Sequence, residues 1–374
     1  MGRDTTNTQS KECNRLKGFI DLSAADGRVT PCCLFDTSYG WKSNIYTGTV
    51  ESEWEDARNR LQKNWIPECS ICEINEKNGH ESMRETAIPN GMQISLDFTC
   101  NFMCRICKPS LSSKWDSVDE DWTRFDPEHY YKDERRKEFP DAQSRFLNYV
   151  DLSQLEEVRI VGGEPFLSKK LLWFLKKLPK KATIQFNTNG SIFPSTEILK
   201  ELEKFNAVKM DISIDAVGEL AECIRFGTKW DEVDKNIQRH ISYWETYIYS
   251  TISVMNVNRM QEVWDYAGGD EYHGGRSRMN ELINPPWLRL EQIPLEQRKH
   301  WGIKELQGKG DFNNIIFSES YVKYEHEKII DFLTTCDKHQ GIFFQDVNPE
   351  IWELLWTLKY QRPQKGTLPK RWQN

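Results

Sequence analysis

The chain has 374 residues, 29% of them charged, and a formal net charge of −7 at pH 7. This length exceeds one average domain and can bury a large core. The mean hydropathy of −0.70, with no apolar run near the roughly 18 residues of a membrane span, argues against a membrane protein, and the acidic balance argues against a general nucleic-acid-binding surface.

Four cysteines lie in two groups near the amino terminus. Cys13 and Cys32 are spaced as C-x13-G-x4-C, and Cys69 and Cys72 form a later C-x2-C pair. Four thiols in two groups suit tetrahedral zinc, and they also suit a [4Fe-4S] cluster, whose four irons each take an outer ligand. Cys33 is interpreted as a buried thiol or a reserve ligand, because Cys32 has the better spacing from the glycine.

Three further cysteines follow the first predicted strand of the central region. Cys100, Cys104 and Cys107 are spaced as C-x3-C-x2-C, and no fourth cysteine follows closely. Three thiolates on an iron–sulfur cubane leave one iron open, and an open iron can bind a small molecule and pass it an electron. A structural zinc site prefers paired C-x2-C units and four closed ligands, so zinc is the weaker alternative here.

Strands that alternate with helices predict a parallel α/β barrel in the middle of the chain. The predicted strands are residues 92–98, 158–161, 183–188, 208–214, 248–254 and 287–293, and the predicted helices are residues 169–177, 196–204, 230–247 and 259–266. Each strand ends in a polar or glycine-rich turn, and active sites of such barrels lie at that end. Residues 115–146 are expected to form helices that cover the cluster side.

Alternating polar residues on three of the strands predict a polar barrel interior. The residues that share a face are Gln93, Ser95 and Asp97, then Gln185, Asn187 and Asn189, then Asp211, Ser213 and Asp215. A solvated sheet face is the alternative, but parallel sheets are normally covered on both faces.

The second predicted strand ends in the turn Gly162-Gly163-Glu164-Pro165. Two glycines let backbone approach a ligand closely, and Glu164 offers an acceptor suited to an ammonium group. Glycine pairs are common at strand–helix turns, so this turn becomes a specific signal only because it follows the cysteine loop by one strand.

Together, the C-x3-C-x2-C loop and the GGEP turn resemble the signature of radical S-adenosylmethionine (SAM) enzymes. The resemblance implies an α/β fold with a partial (β/α)6 TIM-like barrel, a [4Fe-4S] cluster on the three loop cysteines, and bound SAM. The residues matched to SAM-binding positions are Ile106, Gly162, Gly163, Glu164, Pro165, Asn187, Asn189, Ser213, Asp215 and Arg225. An ordinary surface arginine is the alternative for Arg225.

The amino-terminal cysteines resemble the shortened auxiliary-cluster module called twitch, whose longer relative is SPASM. An uncharacterised group of radical SAM proteins has such a module before the barrel, with a PCC pair and an E-x2-G-x2-S-x-R stretch, matched here at residues 31–33 and 76–84. The resemblance implies a second [4Fe-4S] cluster on Cys13, Cys32, Cys69 and Cys72, with zinc as the alternative. It predicts a twitch/SPASM-like module at residues 1–88, the barrel at 89–295, and a helical extension with a basic tail at 296–374.

The resemblance implies an enzyme that cleaves SAM reductively and uses the 5′-deoxyadenosyl radical on a substrate such as a peptide or protein. It also implies a small electron-donor protein such as a flavodoxin or ferredoxin. The alternatives are a non-catalytic iron–sulfur or zinc protein that keeps the fold, and an RNA-modifying radical SAM enzyme, which the acidic charge disfavours. Cluster cysteines and a polar amino terminus predict a cytoplasmic location.

Overall fold

The computed structural model describes residues 13, 15–18, 20–24, 26–32, 34–77, 82, 90–109, 111–118, 122–125, 147, 150–270, 274–303 and 324–360. The strands are β1 Ile20–Ser23, β2 Val29–Thr30, β3 Gly91–Ser95, β4 Met103–Cys104, β5 Glu157–Val161, β6 Thr183–Thr188, β7 Ala207–Ser213, β8 Arg225–Phe226, β9 Glu245–Ile252 and β10 Ser277–Glu281. The helices are α1 Arg15–Gly18, α2 Val50–Lys63, α3 Ser70–Lys77, α4 Leu171–Lys177, α5 Thr196–Leu202, α6 Gly218–Ile224, α7 Trp230–Tyr243, α8 Met260–Ala267, α9 Leu295–Arg298, α10 His326–Gln340, α11 Phe344–Val347 and α12 Pro349–Tyr360. None of these helices, which cover only the described part of the chain, has the length and apolarity needed to cross a membrane.

Six parallel strands form the centre of the fold. Strands β3, β5, β6, β7, β9 and β10 are neighbours in that order, and every pair among them is parallel. Helices α4, α5, α7 and α8 lie between successive strands along the chain. Parallel strands joined through helices are the arrangement of a (β/α) barrel, so the predicted α/β fold with a partial barrel is confirmed.

The amino-terminal segment extends the same sheet. Strand β1 pairs in parallel with β3, in a register that sets Asp21 opposite Gln93, and β2 closes the edge as an antiparallel partner of β1. A β-ladder therefore crosses the predicted boundary between residues 88 and 89. The division into domains stays a prediction.

Five of the predicted strands are confirmed, with ends that differ by a few residues. The sixth prediction is wrong, because residues 287–293 form the 3-10 turns Pro286–Leu288 and Leu290–Gln292. The sixth strand is β10, with the sequence SRMNE. It lies at the sheet edge, where Asn280 is exposed, so it carries no continuous apolar run to mark it. The four predicted helices are present, and the third ends at Tyr243.

The carboxyl-terminal helices pack on the segment that follows the cysteine loop. Phe332 on α10 contacts the rings of Trp122, Phe125 and Trp287, with centroids 5.8, 5.3 and 4.8 Å away. Trp122 begins the 3-10 turn Trp122–Arg124, and a second turn covers Ser113–Ser117. Most of the helices predicted over residues 115–146 fall outside the described residues.

Helix α7 shows how the sequence pattern sets the packing behind the sheet. Asp231 and Glu232 lie in its first turn, where they complement the helix dipole. Val233, Ile237 and His240 recur on one face and are buried. The His240 ring is fully buried against Phe166, Phe193 and Trp244.

Burial of His240 predicts a pH-dependent stability. Burial lowers the pKa of this imidazole to about 4, whereas the unfolded chain binds a proton near pH 6.5 (about the model-peptide value). The free energy of unfolding should therefore fall as the pH decreases from about 6.5 to about 4. Anaerobic urea unfolding at pH 7.5 and 5.5 checks this. In His240→Phe, the difference in the free energy of unfolding between the two pH values should be smaller than in the wild type. In His300→Gln, which changes an exposed histidine, the difference should equal that of the wild type. An unchanged difference in His240→Phe contradicts the assignment.

Candidate active site

A cavity of about 830 Å³ lies at the carboxyl ends of the parallel strands. The predicted site residues that line it are Cys100, Cys104, Ile106, Cys107, Gly162, Gly163, Asn187, Asn189, Ser213 and Arg225. Glu164, Pro165 and Asp215 are buried and are not among its lining residues. The polar faces predicted for β3, β6 and β7 contribute Gln93, Ser95, Asn187 and Ser213 to this wall.

The three loop cysteines face this cavity from a hydrogen-bonded loop. Cys100 N–H donates to Ser113 Oγ at 3.1 Å, and Cys107 N–H donates to the Cys104 carbonyl at 3.0 Å. Cys104 belongs to β4, which pairs antiparallel with β8. Burial raises the pKa of the Cys100 and Cys104 thiols and raises the pKa of Cys107 to about 11. The thiols are therefore neutral in the chain alone, and metal ligation must release their protons.

The glycine turn after β5 passes directly against the backbone that leads into the cysteine loop. A Cβ on Gly163 would lie 2.2 Å from the Thr99 carbonyl oxygen, and one on Gly162 would lie 2.5 Å from Ser95 Oγ. Gly162 also has a φ of +119°, which side chains rarely tolerate. Glu164 N–H donates to the Thr99 carbonyl at 2.7 Å. The glycines are required for this contact within the chain, in addition to any close approach of a ligand.

Glu164 is a buried acceptor with three donors from its own chain. Its carboxylate accepts from Asn189 N–H at 2.7 Å, Thr188 Oγ1 at 2.8 Å and Phe166 N–H at 3.1 Å. Burial raises the pKa of this carboxyl to about 7, against the opposing effect of the hydrogen bonds. In this structure the side chain joins the ends of β5 and β6.

Two asparagines at the end of β6 differ in their hydrogen bonding. Asn189 Nδ2 donates to Asn101 Oδ1 at 3.0 Å, which ties the strand to the cysteine loop. Asn187 Oδ1 is buried and has no hydrogen-bond partner, although Asn187 lines the cavity. A buried acceptor of this kind is costly unless a ligand or water supplies a donor.

Arg225 extends toward the cysteine loop from β8. Its Nε donates to Asp215 Oδ2 at 2.7 Å, and its Nη1 lies 3.9 Å from Cys104 Sγ. Asp215 also accepts from Thr251 N–H at 2.8 Å and is 1% exposed. Asp215 therefore orients Arg225 from behind, while Arg225 itself reaches the cavity.

A further part of the cavity wall comes from the amino-terminal segment and was not predicted from the sequence. It includes Asp21, Ser23, Arg28, Thr30, Trp41, Lys42, Ser43 and Asn44. Asp21 Oδ2 accepts from Gln93 Nε2 at 3.0 Å, and burial raises the pKa of its carboxyl to about 6. A four-residue strand with the sequence IDLS has no pattern that signals pairing with β3.

The four amino-terminal cysteines line one small cavity of about 20 Å³, together with apolar side chains such as Phe35 and Trp65. Burial, with the nearby Cys13 and Cys72, raises the pKa of Cys69 to about 12. Ser82 Oγ donates to Glu76 Oε1 at 2.6 Å, which pairs two residues of the E-x2-G-x2-S-x-R stretch. Cys33 lies outside the described residues.

Comparison with known proteins identifies the central domain. The family model of the radical SAM superfamily matches residues 94–267. The chain contains a radical SAM domain. This family implies a [4Fe-4S] cluster and SAM as cofactors.

Several curated proteins are similar to part of this chain. GTP 3′,8-cyclase of Helicobacter pylori (strain HPAG1) is 26% identical over 129 residues, which are 34% of this chain and 35% of that protein. GTP 3′,8-cyclase of Syntrophomonas wolfei is 24% identical over 149 residues, which are 39% of this chain and 40% of that protein. The chain thus spans well under half the length of these relatives.

Two solved structures align with part of this chain. Native anSMEcpe with bound AdoMet has 16% sequence identity and a TM-score of 0.36, covering 68% of this chain and 63% of that one. Streptococcus suis SuiB bound to the precursor peptide SuiA has 13% identity and a TM-score of 0.36, covering 80% of this chain and 56% of that one.

The residues of the cavity fit the cofactors that the radical SAM domain implies. Three thiols line one cavity, and Arg225 provides a cation that can pair with a carboxylate. The buried Asn187 Oδ1, which has no partner, can accept from a donor such as a ribose hydroxyl. Among the described residues, no set of three or more His, Cys, Asp or Glu side chains is arranged as a metal-ion site in the chain alone. The fit therefore rests on the types of donor and on the cavity that they share.

The bonding of Glu164 predicts that Glu164→Gln destabilises the chain even without SAM. Glutamine replaces one carboxylate oxygen by an NH2 group, which cannot accept from Asn189 N–H or, in the other orientation, from Phe166 N–H. One buried donor therefore loses its partner, at a cost of about 1–3 kcal/mol. Chemical unfolding without SAM measures this loss, and Glu232→Gln on the exposed face of α7 is the control, expected near zero. Wild-type stability of Glu164→Gln would mean that the carboxylate serves only a bound ligand.

Proposed function

We propose that this chain is a radical SAM enzyme whose reaction takes place in the cavity at the carboxyl ends of the barrel strands. The observation that carries the proposal is that the three loop cysteines and most of the predicted SAM-binding residues line one cavity. When bound there, the cluster would supply the electron that cleaves SAM to methionine and a 5′-deoxyadenosyl radical. Cys100, Cys104 and Cys107 would be its ligands.

The side chains around the cavity would divide the binding of SAM among themselves. Arg225, oriented by Asp215, would pair with the carboxylate, and Asn187 and Ser213 would accept or donate hydrogen bonds to the ribose. Ile106 would contact the adenine. Glu164 would act by holding the ends of β5 and β6 in place, since its carboxylate already has three donors.

A substrate would bind between SAM and the amino-terminal wall of the cavity. That wall carries Asp21, Ser43 and Asn44 as polar contacts and Trp41 as an aromatic one. A peptide or protein substrate is the proposed class, and reduction would require a small donor protein such as a flavodoxin or ferredoxin. The similar proteins differ in the compound that their names mention, which is GTP for the cyclases and a precursor peptide for SuiB.

We further propose that Cys13, Cys32, Cys69 and Cys72 hold a second, auxiliary [4Fe-4S] cluster. The proposal is supported by the four thiols that line one small cavity, since four thiolates would close every iron of a cubane. A closed cluster cannot bind SAM, so its role would be electron transfer or bracing of a segment with little core of its own. Zinc is the competing occupant, because four thiols also satisfy its tetrahedral preference.

Loss of the loop cysteines should abolish SAM cleavage. Anaerobically reconstituted protein with dithionite and SAM is expected to produce 5′-deoxyadenosine, detected by chromatography. The triple variant Cys100→Ala, Cys104→Ala, Cys107→Ala should produce none, since no ligand remains for the SAM-binding cluster. Exposed Ser117→Ala in the adjoining turn is the matched control and should behave as wild type. Undiminished cleavage in the triple variant would reject the assignment.

The same triple variant isolates the amino-terminal site. It should retain about four irons and four sulfides per chain, as expected for one remaining cubane. Adding Cys69→Ala and Cys72→Ala should remove this iron, because two of the four ligands are lost. Metal and sulfide analysis of the anaerobic protein makes the measurement. Zinc in place of iron, or no metal in the triple variant, would contradict a second cluster.

A further inference from the structure

A charged side chain in the middle of the cysteine loop is buried on the side away from the cavity. Arg105 lies between Cys104 and Ile106, is 0% exposed, and is not among the lining residues of the cavity. Burial of a guanidinium is costly unless it is paired and hydrogen-bonded. Its partners therefore identify what the loop is built against.

Those partners come from the carboxyl-terminal part of the chain. Arg105 Nη2 lies 2.8 Å from Asp337 Oδ1 and donates to the Ile342 carbonyl at 3.1 Å, while Nε donates to Gln340 Oε1 at 2.9 Å. The guanidinium carbon lies 5.9 Å from the centroid of the Phe344 ring. Helix α10 thus presents its last turn, and the residues that follow, to one arginine of the cysteine loop.

Asp337 is itself fixed at this position. Its side chain is 6% exposed, and Oδ1 also accepts from Phe344 N–H at 3.1 Å. Its carbonyl accepts from Gly341 N–H at 2.8 Å, which caps α10. The carboxylate that receives Arg105 is therefore held between the end of one helix and the start of the next.

The loop backbone at the same residue has a second anchor. Arg105 N–H donates to the Ile224 carbonyl at 2.7 Å, next to the β4–β8 pair that sets Cys104 opposite Arg225. Arg105 is joined covalently to one cluster ligand and lies two residues from another. Arg105 therefore connects helix α10 to the backbone segment that carries Cys104 and Cys107.

We infer that Arg105 and Asp337 are positioning residues for the SAM-binding cluster, so that the carboxyl-terminal helix α10 helps to set the placement of the cluster ligands. The inference rests on the proposed function, because it concerns the cluster that Cys100, Cys104 and Cys107 would hold. Residues behind metal ligands set the orientation of those ligands, and their loss costs about 10- to 100-fold in metal affinity or activity.

A charge-removing pair of substitutions separates positioning from stability. Removing one partner strands a buried charge, whereas replacing both by apolar residues of similar volume is often neutral or stabilising. The double variant Arg105→Met, Asp337→Leu leaves no buried charge unpaired, so without the cluster it should be more stable than Arg105→Met alone, although Phe344 N–H loses its acceptor. After anaerobic reconstitution, its reduced cluster should have altered EPR g-values, a weaker change on adding SAM, and about 10- to 100-fold slower SAM cleavage.

A milder variant and a matched control complete the test. Gln340→Met removes one hydrogen bond of Arg105 and should change the EPR signal in the same direction by a smaller amount. Arg124→Gln is the control, because Arg124 contacts Thr335 and Asp331 on the same helix. Its spectrum should match wild type. Wild-type EPR spectra and cleavage rates in both Gln340→Met and a folded double variant would overturn the inference. Absence of cluster or cleavage in the wild type would instead reject the proposed function.

Discussion

The contact between the glycine turn after β5 and the backbone before the cysteine loop is the constraint on which the rest of the site depends. Gly163 sits where any Cβ would lie 2.2 Å from the Thr99 carbonyl oxygen. Backbone cannot give way to a Cβ at that distance, so the position accepts only glycine. Once the two segments touch, Glu164 N–H reaches Thr99, and the Glu164 carboxylate reaches the end of β6. The cysteines, the turn and the asparagines thereby meet at one edge of the sheet.

Buried charges hold the cysteine loop from two further directions. Arg225 lines the cavity near Cys104 with its partner Asp215 buried behind it, whereas Arg105 and its partner Asp337 are not among the residues that line the cavity. Neither ion pair adds much to the free energy of unfolding, because the cost of desolvation offsets much of the attraction. What each pair supplies is direction, since a guanidinium with fixed acceptors has one low-energy placement. The cysteine loop is thus located by interactions that specify geometry more than they strengthen the fold.

The sequence predicted a strand correctly where the local residue pattern matches the local structure. Strand β6 was predicted over its observed bounds, because apolar Ile184 and Phe186 alternate with polar neighbours. Strand β10 was not, because an edge strand needs no apolar run, and the apolar residues at 287–293 are buried as turns instead. The convergence of cysteines, glycines and asparagines on one cavity was predicted through the motifs. The partners of Arg105 were not, since Gln340 lies 235 positions away and no spacing rule links the two.

The amino-terminal segment connects its own cysteine group to the cavity through the sheet. Helix α1 lies between Cys13 and β1, and β1 pairs along its whole length with β3, the strand that leads into the cysteine loop. The same segment continues through Arg28 and Trp41, which line the cavity, to α3, which contains Cys72. Trp41 Nε1 donates to the Val29 carbonyl at 2.7 Å, so the cavity wall is bonded to the edge hairpin. Closure of the four-cysteine site would fix both ends of this segment and leave the wall little freedom. An occupant of the small cysteine cavity would therefore order the amino-terminal residues that line the large cavity, whether or not that occupant carries an electron.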